Sequence, residues 1–120
     1  MKPNNLSMDR HLKAHLFDIS IAIDEIQSFF GQKPRRFDQY CKNIMLRRAI
    51  ERNIGIIGEA VNKIFKENPD INISNARAII ATRNRVIHDY AAVTNDVMWK
   101  IVINDLPKLK KEVDTLLTEE

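Results

Sequence analysis

The apolar residues Leu12, Leu16, Ile19, Ile23, Ile26 and Phe30 follow one another in alternating steps of four and three. That spacing marks one face of a helix and fits no strand. Ser7 is a plausible N-cap, and Gly31 followed by Pro34 supplies a stop. These bounds predict a helix of about 24 residues, long enough to run the length of a bundle. A second stripe, Ile44, Ile50, Ile54, Ile57, Val61 and Ile64, predicts one helix from near Phe37–Asp38 to about Lys66, with Leu46 and Phe65 on its margins. Gly55 and Gly58 fall inside it, where each costs up to ~1 kcal/mol relative to alanine. Both are therefore expected where another backbone or helix comes close. A third helix should start after Ser74 or Asn75 and run through Ile79, Ile80, Val86 and Ile87 to His88–Tyr90. A fourth should follow the cap candidates Thr94, Asn95 and Asp96. It carries Val97, Ile101, Val102, Leu106, Leu109, Val113 and Leu116, and Pro107 should kink or split it. The expected fold is all-α, an antiparallel bundle of four to five helices.

Composition agrees where it bears on fold. The 120 residues suit a single domain, 1–120, with one core. Three glycines and four prolines leave little turn chemistry for a sandwich or barrel. Isoleucine is abundant and favours strands on propensity, but the periodicity decides for helices. No apolar run approaches the ~20 residues of a membrane span, so no membrane role is expected. A lone cysteine, Cys41, and a polar start without a signal-peptide pattern point to the cytoplasm.

Charge changes the picture more. The net charge is +3, yet Lys33 to Arg52 holds seven basic residues against Asp38 and Glu51. That segment is +5, leaving −2 for the rest. A second stretch without acids carries Arg77, Arg83 and Arg85. Two such stretches suit a polyanion, although a solvated helix face gives the same composition.

The stretch with most chemistry in it is Arg83-Asn84-Arg85-Val86-Ile87-His88-Asp89-Tyr90, or Arg-x-x-x-x-His-x-Tyr. Asn84 and His88 share a helix face. Arg83 and His88 lie about 140° apart around the axis. They converge if the arginine wraps, if the helix ends near His88, or if a second subunit completes the site. A histidine can move protons near neutral pH, and an arginine can grip phosphate oxygens through two hydrogen bonds. In RNA the 2′-hydroxyl is an internal nucleophile, so cleavage needs no metal in principle. On spacing alone, the commoner reading is a satisfied histidine at a helix end beside solvated arginines.

The same residues sit among others that carry a resemblance. Glu51-Arg52-Asn53-Ile54-Gly55-Ile56-Ile57-Gly58-Glu59-Ala60, Ile80 to Tyr90, and Val97 to Pro107 with its Asp-Leu-Pro resemble, in order, three blocks of the HepT-like toxins of the HEPN superfamily. The resemblance implies a small helical homodimer acting as a metal-independent ribonuclease. It implies a partner too, a minimal nucleotidyltransferase antitoxin of the MNT type. Arg83 and His88 would be catalytic, with Asn84 the polar residue beside the arginine. Tyr90 would accept adenylate units from ATP. No cofactor or metal is implied. Where many relatives have tryptophan, this chain has Asn75-Ala76-Arg77, a difference expected to affect packing alone.

Arg47, Arg48 and Arg85 are further candidates for RNA contact, with Arg52 beside them; Arg47 also forms an ordinary i, i+4 pair with Glu51. His11 and His15 could offer two imidazoles to a metal but lack a third ligand, so a bare helix face is the expectation. Trp99 could stack on a base, but a core or dimer contact is expected of it. The reading is an endoribonuclease, with a non-catalytic nucleotide- or partner-binding module as the alternative. A DNA-binding domain is disfavoured because no short helix-turn-helix stands out.

Overall fold

A computed structural model of the protein describes residues 9–89 and 95–118, with Ala76 and residues 85–89 as backbone. The described elements are helical: α1 (Arg10–Phe30), α2 (Phe37–Lys42), α3 (Ile44–Glu67), α4 (Ala76–Asp89), α5 (Asn95–Lys100), a π turn (Ile101–Asp105) and α6 (Leu106–Thr118). The all-α expectation holds. Helix α3 lies between α1 and α4, and α6 packs on α1. Antiparallel pairing is visible in the cross-links. Asn53 of α3 donates to the Ala22 carbonyl and to Glu25, while Lys63 lies by His15. Ser20 donates to Asp114, and Lys110 pairs with Asp24 at 3.1 Å.

The predicted stripes form the core. Leu16, Ile19, Ile23 and Ile26 meet Ile50, Ile54, Ile57, Val61 and Ile64, with Leu106, Leu109 and Val113 closing the side of α1. Full burial of such side chains stabilises by roughly 1.5–3 kcal/mol each. No described helix is long and apolar enough to cross a membrane.

Four expectations need correction or refinement. Helix α1 starts at Arg10, capped by Asp9, whose carboxylate accepts the His11 N–H at 3.0 Å; Ser7 lies outside the described residues. The predicted second helix is two helices. Asn43 is extended (φ −100, ψ 95), and its side chain accepts the Leu46 N–H and caps α3. An asparagine that satisfies a helix start is worth ~1 kcal/mol relative to alanine, enough to favour the break. The same break leaves Ile44, expected in the stripe, on the surface beside Met45. At Pro107 the expected fourth helix is divided into α5, the π turn and α6 without a non-helical break. The chain widens into the π turn just before the proline, and the Leu106 N–H donates to the Ile101 carbonyl five residues back. A proline ring clashes with the carbonyl four residues earlier, and the wider turn relieves that clash.

Gly31 closes α1 with φ +60, a conformation glycine adopts freely. Beyond it, Phe30, Phe37 and Tyr40 surround Trp99 with ring centroids 5.9, 5.9 and 5.2 Å away. Trp99 is thus a packing residue joining α5 to the ends of α1 and α2.

Tyr40 is fully enclosed in this cluster, and its hydroxyl has no partner. Burial, with Glu51 adding and Arg47 opposing, pushes its pKa from 10 up to about 12. The folded value is the higher one, so this contribution to stability is complete below pH 10 and is lost as pH rises through 12. In Tyr90→Phe, Tyr40 is the one tyrosine left. Its tyrosinate absorbance should appear with a midpoint near 12; an ordinary midpoint would show that Tyr40 is in water.

Candidate active site

Helix α4 carries the Arg83–His88 motif, and its start is fixed by contacts from the far end of the chain. Asn75 adopts φ +60, which asparagine tolerates, and its carbonyl accepts the Ile79 N–H at 3.0 Å. Its side-chain amide donates to Asp105 in the π turn at 3.3 Å. Glu112 of α6 accepts the Ser74 N–H at 3.1 Å and the Ser74 hydroxyl at 2.5 Å. These carboxylates also stand near the positive end of the helix dipole, where negative charge is favourable.

The middle of α4 is set by Gly58. A methyl group there would run into Cβ of Arg83, and would stand 2.8 Å from its Cγ and 3.3 Å from the Ile79 carbonyl oxygen. The missing side chain is therefore what lets the stem of Arg83 lie on the backbone of α3. The guanidinium emerges beside the next residue, and Nη2 of Arg83 pairs with Oε1 of Glu59 at 3.2 Å. The Arg83 side chain is only 12% exposed against 47% for Glu59. Its Nε is closed to water and has no acceptor among the described residues. An N–H in that state costs ~1–3 kcal/mol unless something supplies an oxygen.

Gly55 behaves differently. Nothing lies within 4 Å of where its Cβ would be, so the expected close approach is present at Gly58 alone. Gly55 borders a shallow groove of about 430 Å³ between α1 and α3, which His15, Asp18, Arg52, Glu59 and Lys63 also line.

The other site candidates divide. Asn84 is exposed on α4, next to Arg83. Arg85 and His88 belong to α4 by their backbone, and their side chains lie outside the described residues. Helix α4 is described as far as Asp89, and the expectation about where it ends falls on residues outside the described ones. Tyr90 lies outside the described residues, as does Thr94. Arg47 is half-buried and donates through Nη1 to Asn95 at 3.4 Å, at the start of α5. Its Nε is also enclosed without a partner. Arg48 is exposed, and Arg52 faces the α1–α3 groove. Arg47 and Arg52 are thus on different sides of α3. Among the described residues no group of three metal-ligand side chains occurs, and His11 and His15 gain no third member.

Sequence reasoning quoted Glu59 within a signature and gave it no role. The available signal was a glycine and a glutamate side by side inside a helix. The glycine announces an approaching element, and the acid offers a partner for a cation on it.

The two glycines make opposite predictions. Gly58→Ala should destabilise the protein by about 1–3 kcal/mol through overpacking against α4. Gly55→Ala should raise stability by up to ~1 kcal/mol, since the added methyl meets open space and the helix gains propensity. Urea unfolding of both variants measures this. Equal effects would mean that Arg83 does not press on Gly58.

Comparison with known proteins places this geometry. The family described as "Ribonuclease HepT-like" matches residues 19–116. A Methanocaldococcus jannaschii protein named "Putative RNase MJ1380" is 35% identical over 109 residues, covering 88% of this chain and 95% of that one. "Probable ribonuclease HepT" of Thermococcus cleftensis is 34% identical over 113 residues, covering 91% and 98%. "Putative RNase TTE0752" of Caldanaerobacter subterraneus is 32% identical over 85 residues, covering 70% and 76%. No solved structure matches the chain. With the family match running from within α1 almost to the end of α6, the protein belongs to the HepT-like family of HEPN-type ribonucleases.

Proposed function

We propose that the protein is a metal-independent endoribonuclease working as a homodimer in the cytoplasm, with Arg83 and His88 as its catalytic residues. The observation that carries this reading is the setting of Arg83. In a chain of a ribonuclease family, an arginine is held against the neighbouring helix by Gly58 and Glu59, five residues before a histidine on the same helix. Held so, the guanidinium can offer its terminal N–H groups to phosphate oxygens. In the proposed reaction the RNA 2′-oxygen attacks the adjacent phosphorus and the bond to the 5′-oxygen breaks. His88 takes the proton from the 2′-hydroxyl or delivers one to the leaving oxygen. Arg83 binds the non-bridging oxygens, whose charge grows in the transition state. The products are a 2′,3′-cyclic phosphate and a 5′-hydroxyl end. Asn84 and Arg85 support the site, and Arg47 and Arg48 contact RNA nearby. The offset of about 140° between Arg83 and His88 favours two motif helices facing each other across the dimer.

The regulatory half of the proposal is a toxin–antitoxin pair. An MNT-type nucleotidyltransferase would add adenylate to Tyr90, displacing pyrophosphate from ATP as the tyrosine oxygen bonds to the α-phosphorus. Tyr90 follows His88 by two residues in the sequence. An added phosphodiester there would put negative charge and bulk where RNA phosphate binds.

Incubating RNA with dimeric wild type and with His88→Ala tests the catalytic half. The variant should cleave about 10²–10⁴-fold more slowly, with its helical circular dichroism intact. EDTA should leave the wild type active. Equal cleavage by both would favour a non-catalytic binding module, and complete loss in EDTA would favour a metal nuclease. Coexpression with the cognate transferase tests the regulatory half. One or more adenylate masses should appear on the Tyr90 peptide, with loss of cleavage and no such gain in Tyr90→Phe. Silencing without added mass would mean inhibition by binding alone.

A further inference from the structure

We infer that Glu59 is a positioning residue for Arg83: its carboxylate holds the guanidinium so that its remaining N–H groups meet RNA phosphate. The inference rests on the proposed role of Arg83 and adds a residue on another helix to that site.

The argument begins with the direction in which Arg83 leaves α4. Gly58 allows its Cβ and Cγ to lie on the backbone of α3, so the stem cannot swing back across that surface. A long arginine side chain retains rotamers beyond Cγ, and these would spread the charge over several positions. Glu59 is the residue after Gly58 on α3, and its Oε1 stands 3.2 Å from Nη2. Stem and head are thus fixed by two consecutive residues of one helix.

The hold engages one nitrogen of the guanidinium. Nε is enclosed and has no acceptor among the described residues. Were every N–H satisfied by protein, a phosphate would have to displace protein oxygens before binding. Here the fork is anchored through Nη2, and among the described residues no other protein oxygen holds its terminal N–H groups. Anchoring raises catalysis by confining the group to the geometry the transition state needs. The exposures agree with this assignment. Arg83 is 12% exposed and Glu59 47%, so the acid reaches in from the groove side while the cation is nearly enclosed. A pair arranged only for surface charge would leave both ends in water.

Two variants separate reach from charge. Glu59→Gln keeps an oxygen at the same reach without the charge, and Glu59→Asp keeps the charge but falls one methylene short. Each is purified with wild type and Arg83→Ala, checked by thermal melting, and assayed on one short RNA, with rates referred to folded protein. Glu59→Ala and Glu59→Asp should lose on the order of 10–100-fold in kcat with KM little changed, while Glu59→Gln recovers most of the loss. Should Glu59→Ala fold poorly, the Gln and Asp variants decide alone. Wild-type kcat in Glu59→Asp beside a dead Glu59→Gln would overturn positioning in favour of charge. Faster cleavage at lower KM in both would make Glu59 a competitor of phosphate and overturn it too. Wild-type rates in all Glu59 variants while Arg83→Ala is inactive would remove Glu59 alone. Wild-type cleavage by Arg83→Ala would instead remove the reading on which the inference rests.

Discussion

The architecture turns on the contact between a residue without a side chain and one with a long side chain. Gly58 lets α4 close onto α3 until the stem of Arg83 occupies the space a Cβ would take. The backbone of α3 then acts as the wall against which the arginine is extended, and the following residue, Glu59, meets its charge. The apolar stripe of α3 sets the facing of both residues, because Ile54, Ile57, Val61 and Ile64 are all fully buried on the side of the core. Core and site therefore share one helix, and a shift of α3 cannot spare Arg83.

Several structural features were legible in the chain because they follow from a period or from a single strong residue. The α1 stripe, the end at Gly31, the start of α4 after Asn75 and the packing role of Trp99 are of this kind. The break at Asn43 was not read, since asparagine is an ordinary residue inside a helical pattern until its side chain is seen bonding Leu46 N–H. The glycines show another limit. Gly55 and Gly58 look alike as letters and lie only about 60° apart around α3, so which one meets α4 depends on a partner remote in sequence. At the site, the motif residues were singled out by the resemblance, since spacing alone favours a satisfied histidine beside solvated arginines. The contribution of α3 was not, because ion pairs between helices leave no periodic trace.

The two orphaned arginine nitrogens, on Arg83 and Arg47, have a common physical meaning. Each arginine has one contact across a helix boundary, to Glu59 and to Asn95 respectively, and each keeps an enclosed donor unpaired. Buried donors rarely stay unpaired in a protein whose polar groups serve stability alone. Arg83 stands on α4 and Arg47 reaches the start of α5, the two elements that flank residues 90–94 in the sequence. That distribution gives the proposed site a phosphate-seeking character on more than one helix.

The carboxylates that fasten the start of α4 come from later in the chain, Asp105 from the π turn and Glu112 from α6. During synthesis the arginine leaves the ribosome before they do. At about 5–20 residues per second the interval between Arg83 and Glu112 is roughly 2–6 s. For that time a growing chain holds its motif without the clasp that orders the helix bearing it. An RNA-cutting protein is made on RNA, and until α6 emerges the helix that bears the proposed site lacks, beside the message, the contacts that fasten its start.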